Sequence, residues 1–447
     1  MASENLYWIW LAERLGAGSR HLLPLIEKFS SPFEVYNLPE DELVMSGCIP
    51  EDVAHRLASK DLDKACEIMD SCVLHNIGIL SYSDKFYPSS LRSLQDPPAV
   101  LYYRGSLIEL DKKLCIAVVG TRKMSEYGKR AAYKISYELG GAEVVVVSGM
   151  ALGIDSVAAC GAITGGGKTI AVLGCGIDIA YPRQHAKLQR IIENHGVVMS
   201  EFAPGTPPAG VNFPIRNRII SGLAQGTLVV EADDKSGAMI TAKKALVQGR
   251  DIFAIPGNID ESNAKGTNSL IRDGANTVLS ARDIIDNYEL NYGRFINYTG
   301  LAYASNVYKF SEEELDRMGI GSRGYNNEYK DSCVGELKTS EYRPIRRPPS
   351  DKNRSEAPST QTKDGLGPDP KTMPKEKPRR RDGSEELLQK LDDRTRRIFE
   401  EIPIDHAASI EKLCALGYTV GDVMSSLTTL EINGLISTLP GSLYIRR

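Results

Sequence analysis

Several cationic side chains follow strand-like segments of this sequence, at places where they could bind a phosphate group. Arg122 follows CIAVVG, Arg183 follows VLGCGIDIAYP, Arg216 and Arg218 lie in NFPIRNR, and Lys235 lies in EADDKSGAMITA. Because the carboxyl ends of parallel strands meet at one edge of a sheet, we expect these cations to share a rim. Like charges brought together cost free energy unless an anion lies between them. Each arginine alone could equally be a solvated loop residue.

An aromatic side chain stands beside two of these arginines. Phe213 lies three residues before Arg216, and the polar Asn217 follows in the same segment. Proteins bind flexible single strands by combining cations that contact phosphates with aromatic rings on which bases stack. The segment therefore predicts a single-strand contact, although Phe213 could also be a buried core residue.

Glycines follow three of the strand-like runs, in VVGTR, VVSGMALGID and VLGCGID, but none of these segments completes a GxGxxG dinucleotide motif. Three such turns at one sheet edge would present free backbone N–H groups to an anion, either a nucleotide or a DNA phosphate. Ser148 and Gly149, at the end of the second run, belong to this predicted anion-binding edge.

Two constellations suggest catalysis without satisfying its requirements. The segment AITGGGKT fits a permissive phosphate-loop pattern, but a helical segment precedes it and the strand-like TIAVLG follows it, the reverse of the order that such a loop needs. Ser148, Asp155 and His185 could form a hydrolytic triad, but Ser148 does not lie in a GxSxG turn. We therefore expect no catalytic residues.

The composition limits the remaining classes. Eight cysteines form no CxxC pair and there are only six histidines, which predicts neither a metal site nor a disulfide framework, and no cofactor. The sequence shows no secretory signal pattern and no apolar run of membrane-spanning length, so we expect a cytoplasmic protein without a membrane partner. Because the net charge is -4, any nucleic-acid surface must be a local cationic patch.

The hydrophobic periodicity divides the chain of 447 residues into four parts. Residues 1–80 have helical spacing and predict a small helical domain. Within it, LGAGSRHLLPLIEKF predicts a helix-hairpin-helix (SAM-like) turn whose Gly16 and Gly18 either expose N–H groups to a phosphate or form a plain turn. Over 81–288, short β-branched runs alternate with helical segments, which predicts an α/β fold with a doubly wound, mostly parallel sheet.

The last two predicted parts are a linker and a small domain. Residues 289–383 are rich in polar and basic residues with little to bury, which predicts a disordered linker. Its end, from Lys371 to Arg381, holds six basic residues against Glu376 and is either a weak phosphate contact or a solvated charge run. Residues 384–447 predict three helices and a short β-hairpin, a winged helix that could bind either DNA or protein.

Six motifs then identify a resemblance. The sequence contains GTR (120–122), SGMALGID (148–155), AVLGCGIDIAYP (171–182), FPIRNRIISGL (213–223), KSGAMITA (235–242) and AIPGN (254–258). In this order and spacing they resemble the DNA-processing protein A family (DprA/Smf), as does the arrangement of a helical domain, a central domain and a C-terminal winged helix.

The resemblance implies an extended Rossmann-like domain that binds single-stranded DNA in a basic pocket. It also implies a homodimer that protects incoming DNA and helps to load the RecA recombinase during natural transformation, with single-strand-binding protein as a further partner. Carried over to this chain, Arg122 and Arg183 would contact phosphates. The residues that would line the same pocket are Phe213, Arg216, Asn217 and Arg218. The family's KSG turn is matched by Lys235 and Ser236, which would also bind DNA.

Three positions depart from the family pattern. Leu152 replaces an arginine, Ala159 replaces a histidine, and Gly210 stands where a basic residue usually precedes the phenylalanine. The resemblance therefore predicts a weaker or slightly rearranged pocket.

Two other functional classes are less well supported. A nucleoside-monophosphate hydrolase of the lysine-decarboxylase-like group would show PGGxGTxxE where this chain has EADDKSGAMITA, without the double glycine or the glutamate. A transcription factor that reads duplex DNA with the winged helix would leave the central domain without a role.

Overall fold

The computed structural model describes residues 4–320, 391–402, 408–409, 413, 418, 420–432, 435–439 and 443–446. It divides into two compact units, Met1–Glu341 and Tyr342–Arg447. Among the helices described, none is long and apolar enough to cross a membrane.

The first unit begins with a helical domain, as predicted. Its helices are α1 (Glu4–Leu15), α2 (Leu22–Phe29), α3 (Pro32–Asn37), α4 (Glu40–Met45), α5 (Glu51–Ala58) and α6 (Asp63–Leu74). Proline at the first position of α3, with the Ser31 hydroxyl accepting the Glu34 N–H, shows why a new helix begins there. Trp8 and Trp10 of α1 are each 1% exposed and anchor the core of this domain.

A nine-stranded sheet follows. Its strands are β1 (Gly78–Ser81), β2 (Val100–Gly105), β3 (Cys115–Val119), β4 (Val145–Ser148), β5 (Thr169–Leu173), β6 (Gly196–Ser200), β7 (Gly226–Val229), β8 (Asp251–Ala254) and β9 (Asn276–Thr277). The spatial order is β1-β2-β6-β5-β4-β3-β7-β8-β9. The β-branched runs predicted within residues 81–288 form the parallel strands β3 to β8. The antiparallel pairs β1–β2 and β2–β6 were not predicted.

Helices cover both faces of the sheet, which explains why the strands are continuous apolar runs. The remaining helices of residues 4–320 are α7 (Ser89–Arg92), α8 (Glu126–Gly141), α9 (Ile154–Thr164), α10 (Ala186–His195), α11 (Asn212–Leu223), α12 (Gly237–Val247), α13 (Lys265–Arg272), α14 (Ala281–Ile285), α15 (Glu289–Tyr292), α16 (Tyr298–Val307) and α17 (Glu312–Met318). The core on one face includes α8, α9 and α10, and that on the other includes α7, α11, α12 and α13.

The strand order reverses between β3 and β7. From β3 the chain proceeds outward through β4, β5 and β6, and then returns to add β7 on the other side of β3. Open α/β sheets bind ligands outside the carboxyl ends of their strands, at such a reversal. This fold therefore places the segments that follow β3, β4 and β5 at a shared edge.

The predicted disordered linker begins too early, because residues 289–320 contain three helices. Phe310 packs edge-on against Tyr133 of α8, with ring centroids 5.4 Å apart. Lys129 of α8 forms an ion pair with Glu312 and is only 8% exposed at its side chain. Buried aromatic and charged contacts therefore hold this segment against the sheet domain. The rest of the predicted linker, 321–383, lies outside the described residues.

The second unit contains two described helices and a small sheet. They are α18 (Asp393–Glu401), α19 (Val420–Ile432), β10 (Ala408–Ser409), β11 (Ile436–Leu439) and β12 (Leu443–Arg446), with the antiparallel strand order β10-β12-β11. Ile398, Val423 and Leu430 are fully buried in its core. The winged-helix assignment stays a prediction.

Candidate nucleic-acid interface

Side chains predicted to bind an anion do meet at the carboxyl edge of the sheet, where glycines let side chains of α11 lie directly over the strand ends. A Cβ atom at Gly174, just after β5, would lie 2.9 Å from the Phe213 ring, and one at Gly149, just after β4, would lie 2.6 Å from the Arg216 guanidinium. A larger residue at either position would therefore displace these side chains. We call Arg122, Gly149, Gly174, Tyr181, Phe213 and Arg216 the strand-end cluster.

Phe213 is the centre of this cluster. The Arg122 guanidinium lies 5.6 Å from its ring centroid, the Arg216 guanidinium lies 5.8 Å away, and the Tyr181 ring lies 5.4 Å away at an angle of 32°. The Phe213 side chain is half-buried, whereas Arg122 is exposed. Two aromatic rings and an accessible cation thus meet at the carboxyl edge of the sheet.

Arg216 is a buried structural cation rather than an exposed rim residue. It is 4% exposed, and its Nη1 donates to the Gly149 carbonyl at 2.9 Å and also to the Val172 carbonyl. Burial lowers the pKa of Arg216 to about 10, although the nearby Asp155 opposes the shift. The guanidinium therefore stays charged at neutral pH and fastens α11 to the ends of β4 and β5. Its Nε donates to Asn217 Oδ1 at 3.2 Å.

Arg218 does not join the strand-end cluster. Two residues along an α-helix correspond to a rotation of about 200°, so Arg216 and Arg218 point to different sides of α11. Arg218 is 2% exposed and lies 2.5 Å from Glu201 Oε1, with its Nε 3.6 Å from Asp96. Burial raises the pKa of Glu201, and the charge of Arg218 opposes that shift. Arg218 thus serves a buried ion pair, and its predicted place in the pocket is wrong.

The N–H groups of Gly16 and Gly18 in the predicted helix-hairpin-helix turn also donate to groups of the protein itself. The Gly18 N–H donates to Glu201 Oε1 at 3.1 Å, and the Gly16 N–H donates to the Ala12 carbonyl at 2.8 Å. Neither N–H group is free for a phosphate, so the plain-turn alternative is the correct one. The turn joins the helical domain to the carboxylate that holds Arg218.

Ser148 and Gly149 are at the predicted edge but their polar groups are occupied. The Ser148 hydroxyl donates to the Val118 carbonyl at 2.7 Å, and the Gly149 N–H donates to Asp155 Oδ2 at 3.1 Å. Burial raises the pKa of Asp155, while Arg216 opposes the shift. His185 is fully buried, and its Nδ1–H donates to the Met150 carbonyl at 3.0 Å. The three triad candidates therefore bond to other groups and not to one another.

The remaining predicted residues lie around the cluster without bonding to it. Arg183 is exposed in a 3-10 turn (Arg183–His185), two residues after Tyr181. Lys235 is exposed in the turn after β7, and Ser236 precedes α12 with a buried hydroxyl. In residues 4–320, no hydrogen bond or ring contact joins Lys235 or Ser236 to the strand-end cluster. Their role in the site stays a prediction.

Sequence reasoning missed two features of this region. Tyr181 entered the sequence analysis only within the motif AVLGCGIDIAYP, although its ring packs against Phe213 in a tilted arrangement. Glu201, directly after β6, was not recognised as the partner of Arg218, because the two are 17 positions apart and Arg218 belongs to α11. The AITGGGKT segment is the predicted turn from α9 to β5. No group of three or more metal-ligating side chains occurs among the described residues.

A doubly wound sheet with an antiparallel edge and a reversal beside β3 defines an extended Rossmann-like α/β protein. Its carboxyl edge presents aromatic rings and exposed cations, the chemistry suited to a polyanion that carries planar bases.

Comparisons with known proteins agree with this class. Residues 78–289 match the family model described as DNA recombination-mediator protein A. The DNA processing protein DprA of Streptococcus pneumoniae is 36% identical over 286 residues, 63% of this chain and 98% of that protein. Protein Smf of Synechocystis is 30% identical over 454 residues, 100% of this chain and 99% of that protein. The chain belongs to the DNA-processing protein A (DprA/Smf) family.

A solved structure supports the same assignment. The X-ray structure of S. pneumoniae DprA aligns with a TM-score of 0.56 at 36% identity, covering 63% of this chain and 97% of that chain. The resemblance identified from six motifs is confirmed, together with the extended Rossmann-like fold.

Proposed function

We propose that this protein binds single-stranded DNA at the strand-end cluster. The observation that carries the proposal is the position of Phe213, whose ring lies 5.6 Å from the exposed Arg122 guanidinium and 5.4 Å from the Tyr181 ring, at the edge where such sheets bind ligands. A base can stack on an aromatic ring of this edge while a cation contacts its phosphate. Duplex DNA keeps its bases paired and stacked and so cannot use the rings.

The contacts assigned to DNA are fewer than the sequence suggested. Arg122 and Arg183 are exposed, and neither forms an ion pair within residues 4–320. Arg216 and Arg218 are buried and bonded to protein groups, so they act on DNA only by holding α11 in place. Asn217 and Lys235 remain proposed contacts at the margin of the cluster.

We also propose the wider role that the family implies. The bound strand is protected, and RecA recombinase is helped onto it during natural transformation, with the protein acting as a homodimer and in the presence of single-strand-binding protein. The description of the matching family model as a recombination mediator supports this role. The direct measurement is the rate at which RecA covers a strand already coated with single-strand-binding protein. A rate unchanged by this protein would contradict the loading role while leaving DNA binding intact.

The first test compares strand types and charge reversals. Fluorescence anisotropy should show tighter binding to a single-stranded oligonucleotide than to the duplex of the same sequence. Arg122→Glu and Arg183→Glu should each weaken single-strand binding by roughly tenfold, at every sequence tested, because phosphate contacts carry no base information.

The matched control is a single reversal, either Lys112→Glu or Lys168→Glu, at the opposite end of the sheet. Lys112 lies in the turn before β3 and Lys168 immediately precedes β5. If the control lost as much single-strand affinity as Arg122→Glu or Arg183→Glu, the loss would be an effect of net charge alone. That result would contradict the proposed site. Equal affinity for duplex and single strand would contradict the proposed function itself.

We propose no catalytic activity. The alternative, hydrolysis of nucleoside monophosphates, is tested by incubating the protein with each nucleoside monophosphate and measuring release of the free base. Base release above that of a heat-denatured sample would establish the enzyme instead.

A further inference from the structure

A second series of cations begins at Arg183 and continues along α10. Arg183 lies in a 3-10 turn that continues directly into α10, and Lys187 and Arg190 follow at intervals of four and three residues. This spacing places helical side chains on one face. All three side chains are exposed. We call Arg183, Lys187 and Arg190 the α10 stripe.

The face that carries the α10 stripe has no exposed carboxylate of its own. Glu193, the acidic residue of α10, is half-buried and lies 4.0 Å from Arg104. The other exposed side chains from the 3-10 turn to the end of α10 are Gln184, Asn194 and His195. Throughout residues 4–320, no carboxylate lies within ion-pair distance of a stripe cation.

The neighbouring helix α17 does not neutralise the stripe either. Glu312 pairs with Lys129 and Glu314 pairs with Arg317, so these two carboxylates are engaged elsewhere. The other acids of α17 form no ion pair with the stripe. Within residues 4–320, the three cations of the stripe therefore have no ion-pair partner and can bind an external anion.

We infer that the α10 stripe is an extension of the DNA-binding site, along which the backbone of a strand held at the strand-end cluster continues. The inference rests on the proposed function. At about 1.5 Å of rise per residue, Arg183 and Arg190 are roughly 10 Å apart along the helix. Successive phosphates of one strand advance by about 3.4 Å along a duplex axis, so the stripe reaches phosphates beyond the one at Arg183. The partner is a longer single strand, bound without sequence preference.

The test is the double variant Lys187→Glu with Arg190→Glu in the full chain, measured with two oligonucleotides. Single-strand sites span about 4 to 16 nucleotides, so one oligonucleotide of about 5 and one of about 16 nucleotides distinguish the cluster from its extension. The longer one should bind about tenfold more weakly to the double variant. Its plot of log affinity against log salt should become shallower by about 1.4, since each lost single-strand phosphate contact removes about 0.7. The shorter one should bind as it does to the unmodified protein.

The control is Lys112→Glu with Lys168→Glu, which changes the net charge equally at the other end of the sheet. An unchanged affinity of the longer oligonucleotide for the stripe variant would overturn the inference, as would an equal loss for both lengths. The neutral variant Lys187→Gln with Arg190→Gln should lower the salt slope by the same amount, and an unchanged slope would also overturn it. Failure of the proposed function is distinguishable, because Arg122→Glu would then leave both lengths unaffected.

Discussion

The exposed arginines of the rim and the buried arginines of α11 perform different tasks with the same side chain. Arg122 and Arg183 are exposed at the carboxyl edge, whereas Arg216 is 4% and Arg218 2% exposed. The buried pair binds carbonyl and carboxylate oxygens of the protein, and the exposed pair has its donors available for phosphates. An arginine near a strand end can therefore contact DNA only if its N–H donors are not already bonded to acceptors of the protein.

The largest expected effect comes from breaking the buried ion pair. Arg218→Met leaves the Glu201 carboxylate, 8% exposed at its side chain, without its cation. Removing one member of a buried pair costs about 3 to 5 kcal/mol, so the free energy of unfolding in urea should fall by about that amount near neutral pH.

The loss should depend on pH in a defined direction. Burial raises the pKa of Glu201, and removing Arg218, whose charge opposes this shift, raises it further. A group whose pKa is higher in the folded than in the unfolded state favours folding as it takes up a proton. The difference in the free energy of unfolding between Arg218→Met and the unmodified protein should therefore shrink as the pH falls from about 7 towards about 4.3, the pKa of an unfolded glutamate. Arg272→Met, which removes an exposed arginine beside Asp273, is the control. A deficit independent of pH would contradict the pairing.

A smaller effect should separate stacking from core packing. Phe213→Ala removes the central ring of the strand-end cluster and should weaken single-strand binding by about 1 to 3 kcal/mol, the contribution of one stacked base. Phe213→Tyr keeps the ring and should retain most of the affinity. If Phe213→Ala strongly lowered thermal stability and left the single-strand affinity unchanged, Phe213 would be a core residue. That result would contradict its proposed stacking on a base.

The smallest expected effect is a gain. Gly210, two residues before α11, is exposed, and a Cβ atom there would meet no other atom within 4 Å. Gly210→Lys should add one phosphate contact and steepen the salt dependence of single-strand binding by about 0.7. Gly210→Gln is the uncharged control. An unchanged slope for the lysine variant would show that DNA does not pass this position.

The strands β3 to β8 were predictable because each is a short, largely apolar run that its own residues determine, whereas the parallel strand β9 consists of two exposed polar residues. The strands β1 and β2 were missed because they lie outside the alternation of strands and helices and are held in the sheet by antiparallel pairing. The helices of residues 289–320 were missed for a related reason. Their polar composition hides contacts such as that between Phe310 and Tyr133, which lie far apart in the sequence.

The site was predictable in place but not in detail. The position of Arg122 after β3 and of Phe213 in the first turn of α11 follows from the order of the elements. The burial of Arg216 and Arg218 depends on the rotation of α11 and on acceptors at Val172 and Glu201, which no local pattern reveals. Motif matches identified the family, whereas only the structure separates the exposed arginines from the buried ones.

The hydrogen bond from Gly18 to Glu201 has a consequence for dissecting the protein. A truncation that deletes the helical domain would strip an N–H donor from a carboxylate beside Arg218 and expose the apolar surface that Leu22 covers. We therefore expect the helical and sheet domains to melt cooperatively, in one calorimetric transition, and a shortened protein to be prone to aggregation. We also expect fragments that begin at the sheet to bind single-stranded DNA more weakly than the intact protein.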